Sequence, residues 1–198
     1  MIAKEIKPKK CKAPGCGKPF KPTMTTQKVC SIACAKAMAK DPKLQKVAAK
    51  AITKQARQDL QERREKLKTK GEHLREAQAA FNAYIRERDR LAGYACISSG
   101  RPLDWNGNAV DAGHYRSTGA APHLRFDENN CHAQSKHDNR YLSGNVADYR
   151  VGLIKRIGLE AVEALERDQS VRRYTIEDLQ AIKAVYRQKL KDLRRAAA

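Results

Sequence analysis

Val110-Asp-Ala-Gly-His-Tyr-Arg-Ser117, then Leu124-Arg-Phe-Asp-Glu-Asn-Asn-Cys-His-Ala-Gln-Ser-Lys-His-Asp-Asn139, then Arg140-Tyr-Leu-Ser-Gly-Asn145 make up the stretch whose reading decides the fold. It sets histidines and asparagines beside Arg, Ser and Gly, the mixture of a phosphate-handling metal site rather than of a hydrophobic core. Residues 108–115 can form a strand, 122–134 a loop and a second strand, and 136–142 a short polar helix. Strand, loop, strand, helix is the order of a ββα-metal module. In that order His114 ends the first strand, Asn130 lies in the return segment and Asn139 on the helix. A neutral imidazole can take a proton from water, and attack on a phosphodiester then needs a divalent cation to stabilise the leaving oxygen. Magnesium suits oxygen ligands such as an Asn side chain.

Upstream, Cys11 and Cys16 flank a Pro14-Gly15 turn, and Cys30 and Cys34 open a helical run. Four thiolates in two pairs are what tetrahedral zinc requires, and with four protein ligands the site is structural, not catalytic. The segment has few core candidates beyond Phe20, Val29 and Ile32, so its folding should depend on the metal. Lys9, Lys10, Lys12, Lys18, Lys21 and Lys28 surround it and suit a clamp on phosphates; a solubilising or protein-binding knob is the alternative.

From Pro42 to about Lys68 strong helix formers run without Gly or Pro, and Thr69-Lys-Gly-Glu72 then has the form of a capping box that starts a second helix. Leu60, Leu67, Leu74 and Phe81 recur every seven residues, but Arg64, Gly71 and Gln78 interrupt the companion positions. That is half a coiled-coil seam, so a homodimer has only weak support. After the central stretch, Val146–Ile157 and Leu159–Arg167 read as helices separated by Gly158. Thr175-Ile-Glu-Asp178 caps a last helix whose Leu179, Ile182, Tyr186, Leu190 and Leu193 share a face.

The formal charge of +19 over 198 residues is uneven. Residues 1–42 hold ten Lys against two acids, and residues 43–90 hold fourteen Lys and Arg against seven. Such a field attracts a polyanion, and DNA is the expected partner. No apolar run is long enough to span a bilayer and no signal segment opens the chain, so a membrane partner is set aside and a cytoplasmic location is expected. In a reducing compartment the six Cys are metal ligands or free thiols rather than disulfides.

Asp111-Ala-Gly-His-Tyr-Arg116, Leu124-Arg-Phe126, Asn130-Cys-His-Ala-Gln134, Asn139 and Ser143-Gly-Asn145, with Tyr174-Thr-Ile-Glu-Asp178 downstream, resemble the phage NinG family over most of residues 72–195. The resemblance implies a His-Me finger (HNH-type) nuclease that cleaves branched DNA, Holliday junctions and D-loops, during phage recombination, with other recombination proteins as further candidate partners. Carried over by position, it makes His114 the general base, Asn130 the brace that orients it, and Asn139 a ligand of catalytic Mg²⁺ or Mn²⁺. Asp111 and His132 are further candidate ligands of that cation, and Arg116 and Arg125 candidate DNA contacts. This chain departs from the pattern where an acid usually precedes the base, because it has Gly113 there. Asp111 is three residues back, on the opposite face of a regular strand. The family's second set of thiols falls on Cys96, Ser99, Ser135 and Asp138, which excludes a four-thiolate zinc there and leaves one structural zinc per chain.

The expected architecture is α+β and mostly helical: a four-cysteine zinc module over 1–41, a basic helical connector over 42–90, an HNH-type ββα-metal core over 91–145, and helices over 146–198 packed on that core. The expected function is metal-dependent endonuclease action on branched DNA. The alternative is a non-catalytic, zinc-dependent DNA-binding accessory protein.

Overall fold

The computed structural model describes residues 7–197, which form two compact units, residues 7–67 and 68–197. In the first, β1 (Lys9–Lys10) pairs antiparallel with β2 (Pro19–Phe20), setting Lys9 opposite Phe20. Gly15 turns the chain between them at φ 74°, a conformation that favours glycine. Helix α1 (Ile32–Lys40) starts where the Ser31 hydroxyl accepts the Cys34 N–H at 3.2 Å. Asp41 accepts the N–H groups of Lys43 and Leu44 and so starts α2 (Pro42–Leu67), with Pro42 in the first turn where its missing donor costs nothing. No residue of α2 is buried, and Ile32, expected in a small core, is 78% exposed. The apolar content of this unit is too small to cover it.

The second unit is built on α3 (Lys70–Leu91) and α6 (Ile176–Ala196). Both start with the expected caps: the Thr69 and Thr175 hydroxyls each accept an N–H three residues on, while Glu72 and Asp178 reach back to the cap N–H. Helix α3 buries His73, Ala77, Phe81, Ile85 and Asp89, one row at four-residue spacing. Phe81 meets Tyr186 of α6 edge-on at 4.8 Å, and Lys183 pairs with Glu76 at 2.7 Å. His73 is thus interior.

Strand β3 (Val110–His114) pairs antiparallel with β4 (Cys131–Ser135) in unbroken register from Val110 opposite Ser135 to His114 opposite Cys131. A π-helical turn, His137–Tyr141, follows β4. Helices α4 (Val146–Ile157) and α5 (Leu159–Arg167) close the far side. Tyr149, Leu153, Val162 and Leu165 pack there with Ile97, Tyr115 and Leu124. Gly152 lets α4 approach closely, since a Cβ there would overlap the Ile97 carbonyl oxygen.

The strand–loop–strand order of the central stretch is therefore present, with the five-residue π-helical turn where a short helix over 136–142 is expected, in a mostly helical α+β protein with two small sheets. The segment 42–90 does not act as one connector: α3 carries part of the second unit's core, whereas α2 carries none. The leucine repeat divides in the same way, with Leu60 and Leu67 exposed and Phe81 fully buried. Among the described residues no helix is long and apolar enough to cross a membrane.

Candidate active site and zinc module

The sulfurs of Cys11, Cys16, Cys30 and Cys34 all lie within 4.8 Å of one another. Cys16 to Cys30 is 3.7 Å and Cys30 to Cys34 is 3.6 Å. Zinc bonds of about 2.3 Å at tetrahedral angles place sulfurs about 3.8 Å apart, so this cluster can bind a zinc ion. The hairpin positions the first pair through Cys11 N–H to Lys18 O and Cys16 N–H to Ala13 O, and the α1 cap positions the second. Crowding divides the thiols. Contacts with Cys34, Cys11 and Cys16 push Cys30 up to about 12. Desolvation works against ionisation of Cys11, but backbone hydrogen bonds from Ala13 and Cys30 bring it down to about 7. Of the surrounding lysines, Lys10, Lys12, Lys18, Lys21 and Lys28 are exposed, while Lys9 is half-buried with its ammonium on the Thr25 carbonyl.

In the second unit His114 is held at the end of β3 by the Arg125 carbonyl oxygen, 3.0 Å from its Nε2. A proton on Nε2 satisfies that bond and leaves Nδ1 with the lone pair, 3.7 Å from Cys131 Sγ. Burial lowers the imidazole pKa, against the opposing bond to Arg125, so the ring is neutral at pH 7. Cys131 is fully buried, and desolvation holds its thiol protonated.

Asn130 braces the loop that carries this contact. Its Nδ2 donates to the carbonyls of Arg116 at 3.0 Å and Leu124 at 3.2 Å, and its Oδ1 accepts the Arg116 N–H at 2.8 Å. With no exposure to solvent, these bonds fix residues 116–125 against β3 and so aim the Arg125 carbonyl at His114.

Asp111 and Asn139 meet elsewhere. Asn139 Nδ2 donates to Asp111 Oδ2 at 3.1 Å, and Arg140 Nε reaches the same oxygen at 2.9 Å. Burial works against ionisation of Asp111, yet these bonds and the Arg140 charge hold its carboxyl below the ordinary range. The register has no bulge, so Asp111 and Gly113 share one face of the hairpin while His114 lies on the other. The structure thus brings Asp111 to Asn139 and keeps both apart from the imidazole.

Other expected site residues have structural partners. Both nitrogens of His132 are engaged, Nε2 with the Asn129 carbonyl and Nδ1 with the Arg88 guanidinium. Burial first, then the Arg88 charge, pushes its pKa down to about 4. A ring held in this way has no lone pair for a metal, which corrects its reading as a ligand. Arg116 Nη1 donates to the carbonyls of Leu165 and Asp168, capping the C-terminus of α5 rather than standing open to phosphate. Arg125 donates to Gln78 and to the Thr118 carbonyl.

The positions where the resemblance expects more thiols come together without them. Asp138 Oδ2 accepts from Ser135 Oγ at 2.7 Å, Ser99 Oγ at 2.9 Å and Cys96 Sγ at 3.2 Å. One buried carboxylate with three donors joins the 96–99 turn to the end of β4. Desolvation raises the Asp138 pKa, but the bonds from Ser135, Cys96, Ser99 and Asn145 prevail and lower it. A depressed carboxyl contributes stability that is present above the unfolded pKa, near 4, and lost as pH falls through the folded value. Asp138→Asn should therefore flatten the acid limb of a stability-against-pH curve below about pH 4, measured by urea midpoints. A limb as steep as the parent's would exclude this role.

The fully buried Asp89 and the half-buried Arg88 and Arg156 lie behind β4 and are not among the residues the sequence singles out. Asp89 at the end of the four-residue row on α3 was the available signal.

A two-stranded hairpin clamped between helix pairs, joined in sequence to a four-cysteine module, defines the class of protein. The chain belongs to the NinG family: the family model described as "Bacteriophage Lambda NinG protein" matches residues 3–196. It is similar to protein ninG of Escherichia phage lambda, 42% identical over 205 residues that cover 98% of this chain and 97% of that protein. It is also similar to the ninG proteins of Escherichia phage 933W and Salmonella phage P22, each 52% identical over 130 residues, 65% of this chain and 61% of theirs. The chain thus spans about three fifths of the length of these two relatives. No solved structure matches.

Proposed function

We propose that the protein is a metal-dependent endonuclease acting on branched DNA in phage recombination, with His114 as general base. One observation carries this reading: a neutral imidazole is fixed through Nε2 by a backbone carbonyl that the buried Asn130 holds in place, and its Nδ1 lone pair, 3.7 Å from the Cys131 thiol, is the atom that would take a proton from water. Asp111 and Asn139 supply oxygen donors suited to Mg²⁺ or Mn²⁺. The cation would stabilise charge on the phosphate and leaving oxygen. Zinc held by Cys11, Cys16, Cys30 and Cys34 would order the basic first unit on the DNA arms, with Lys10, Lys12, Lys18, Lys21 and Lys28 against phosphates.

The test is nicking of synthetic four-way junctions and D-loops with Mg²⁺ or Mn²⁺. His114→Ala should lower the rate by about 10²–10⁴. In the parent the rate should fall on the acid side with an apparent pKa below the ordinary imidazole value of about 6.5, the direction in which burial moves His114. Undiminished cleavage by the variant would remove His114 from the mechanism.

A second reading, a zinc-dependent DNA-binding recombination accessory protein without catalysis, is favoured by the placement of Asp111 and Asn139 on the face away from His114. It expects salt-sensitive DNA binding and no Mg²⁺-dependent cleavage by the parent chain.

A further inference from the structure

The π-helical turn His137–Tyr141 and the residues just after it form a tip at which apolar side chains stand in solvent. Tyr141 is 77% exposed, Leu142 48% and Val146 51%, and none of the three belongs to a hydrophobic cluster of the described residues. Ser143, Gly144 and Asn145 turn the chain there with φ of 51°, 88° and 46°, three successive left-handed residues. That region is free for Gly, tolerated by Asn and unfavourable for Ser. Interior bonds hold the turn in place. The Gly144 N–H donates to the Asp138 carbonyl at 3.0 Å, the Gly144 carbonyl accepts from Gln134 Nε2 at 2.6 Å, and the Asn145 N–H donates to the Leu142 carbonyl at 2.8 Å. Unfavourable backbone persists where its surroundings over-determine it, and it concentrates at ligand contacts. The tip is thus fixed in advance, and binding through it costs little ordering entropy.

Outward charge at the tip is basic. Between Lys136 and Ala147 the sole acid in the sequence is Asp138, which is buried and turned inward onto Ser135, Ser99 and Cys96. The Arg140 side chain is 62% exposed and donates its Nε–H to Asp111 Oδ2 at 2.9 Å. That contact fixes the guanidinium and leaves its Nη donors for an oxyanion. His137 lies beside the Tyr141 ring, with centroids 5.9 Å apart and planes tilted by 36°, which steadies the ring while most of it stays open. A phenol ring next to a held guanidinium matches a base next to its phosphate. Within an intact duplex the base faces are covered by their neighbours, whereas at a branch point stacking is interrupted and faces are open to an inserted side chain.

We infer that Tyr141, flanked by Leu142 and Val146, is a wedge that stacks on bases exposed at a branch point in DNA, with Arg140 held against the adjoining phosphate. The inference deepens the proposed function and rests on its choice of branched DNA as the ligand. It assigns recognition of the branch to residues other than those proposed for hydrolysis.

Fluorescence anisotropy of the zinc-loaded full chain on a synthetic four-way junction and on a linear duplex, without Mg²⁺ or Mn²⁺, tests this apart from cleavage. The parent should prefer the junction. Tyr141→Ala should weaken junction binding at least about tenfold and duplex binding by less than about twofold, while Tyr141→Phe keeps the parent's preference. The base analogue 2-aminopurine, placed at the branch point, should change its emission when the parent binds and not when Tyr141→Ala binds at saturation. Arg140→Ala should weaken binding to both DNAs and lower the slope of affinity against salt by about one. Melting temperatures close to the parent's are expected for these variants, because both side chains are largely exposed. A parent with no preference for the junction, or equal losses on junction and duplex for a folded Tyr141→Ala, would overturn the wedge. Tyr141-dependent junction binding by a chain that cleaves nothing would leave the wedge standing and remove the nuclease reading. Cleavage by the parent, with junction binding unchanged in Tyr141→Ala, would overturn the wedge alone.

Discussion

Removing zinc from the full chain with a chelator, or replacing Cys30 with Ser, should unfold the segment from Lys9 to Lys40 outright. This segment has two-residue strands, a nine-residue helix and only a few buried residues, among them Cys11, Ala13 and Pro22. A nine-residue helix is below the length at which isolated helices persist in water, and a two-stranded hairpin of this size is marginal. What remains to hold it is the junction of hairpin and helix at four sulfurs within 4.8 Å. Cys30 is the central one, in contact with the sulfurs of Cys16 and Cys34 and, through its N–H, with Cys11. Metal analysis should give about one zinc per chain before treatment and none after. Amide exchange over 9–40 should then collapse to that of an unfolded peptide, while 68–197 keeps its protection, since the hydrophobic clusters of the described residues lie in that unit. Protection of α1 that survives loss of the metal would show that zinc is not what folds this unit.

Replacing Asp89 with Ala should give the largest loss of stability in the second unit. Asp89 is fully buried; its Oδ1 accepts from Arg88 Nε at 2.7 Å and its Oδ2 from the Ala133 N–H at 2.6 Å. Arg156 Nη1 is 3.7 Å away and also stacks its guanidinium on Tyr94. Truncation leaves the Arg88 Nε and the Ala133 N–H without their acceptor and the largely buried Arg156 guanidinium without its facing charge. Breaking a buried pair from one side costs about 3–5 kcal/mol, a large part of the roughly 5–15 kcal/mol that holds a domain. The melting temperature should fall by about 10–20 °C, followed by calorimetry. Asp89→Asn keeps one acceptor and should lose clearly less. Equal losses for the two variants would mean that shape rather than charge is what the site requires.

These expectations differ in how far the sequence announced them. The Cys spacing, the Thr69 and Thr175 caps, the helix face running from Leu179 to Tyr186 and the strand–loop–strand order are local patterns, and each is found where its residues predict it, whereas the expected short helix after the second strand is only a five-residue π-helical turn. Asn130 was marked as a brace by resemblance, and the structure gives the bonds by which it fixes the loop. The partners of Arg116 and His132 were not legible, because a guanidinium or imidazole looks the same in sequence whether it meets phosphate or a helix end. The Asp138 hub joins residues 96, 99, 135 and 138, the four positions that the resemblance grouped, but that three of them donate to one carboxylate oxygen was decided by the tertiary structure.

By itself the sequence determined the family, the elements, the caps and the candidate zinc ligands, because these depend on near neighbours along the chain and on residue type. The tertiary structure alone decided which faces meet. The bulge-free register of β3 with β4 put Asp111, Gly113 and Gln134 on one side and His114 on the other. That separation follows from the two-residue period of a strand, but its consequence depends on what packs against each face, and long-range burial sets that partner.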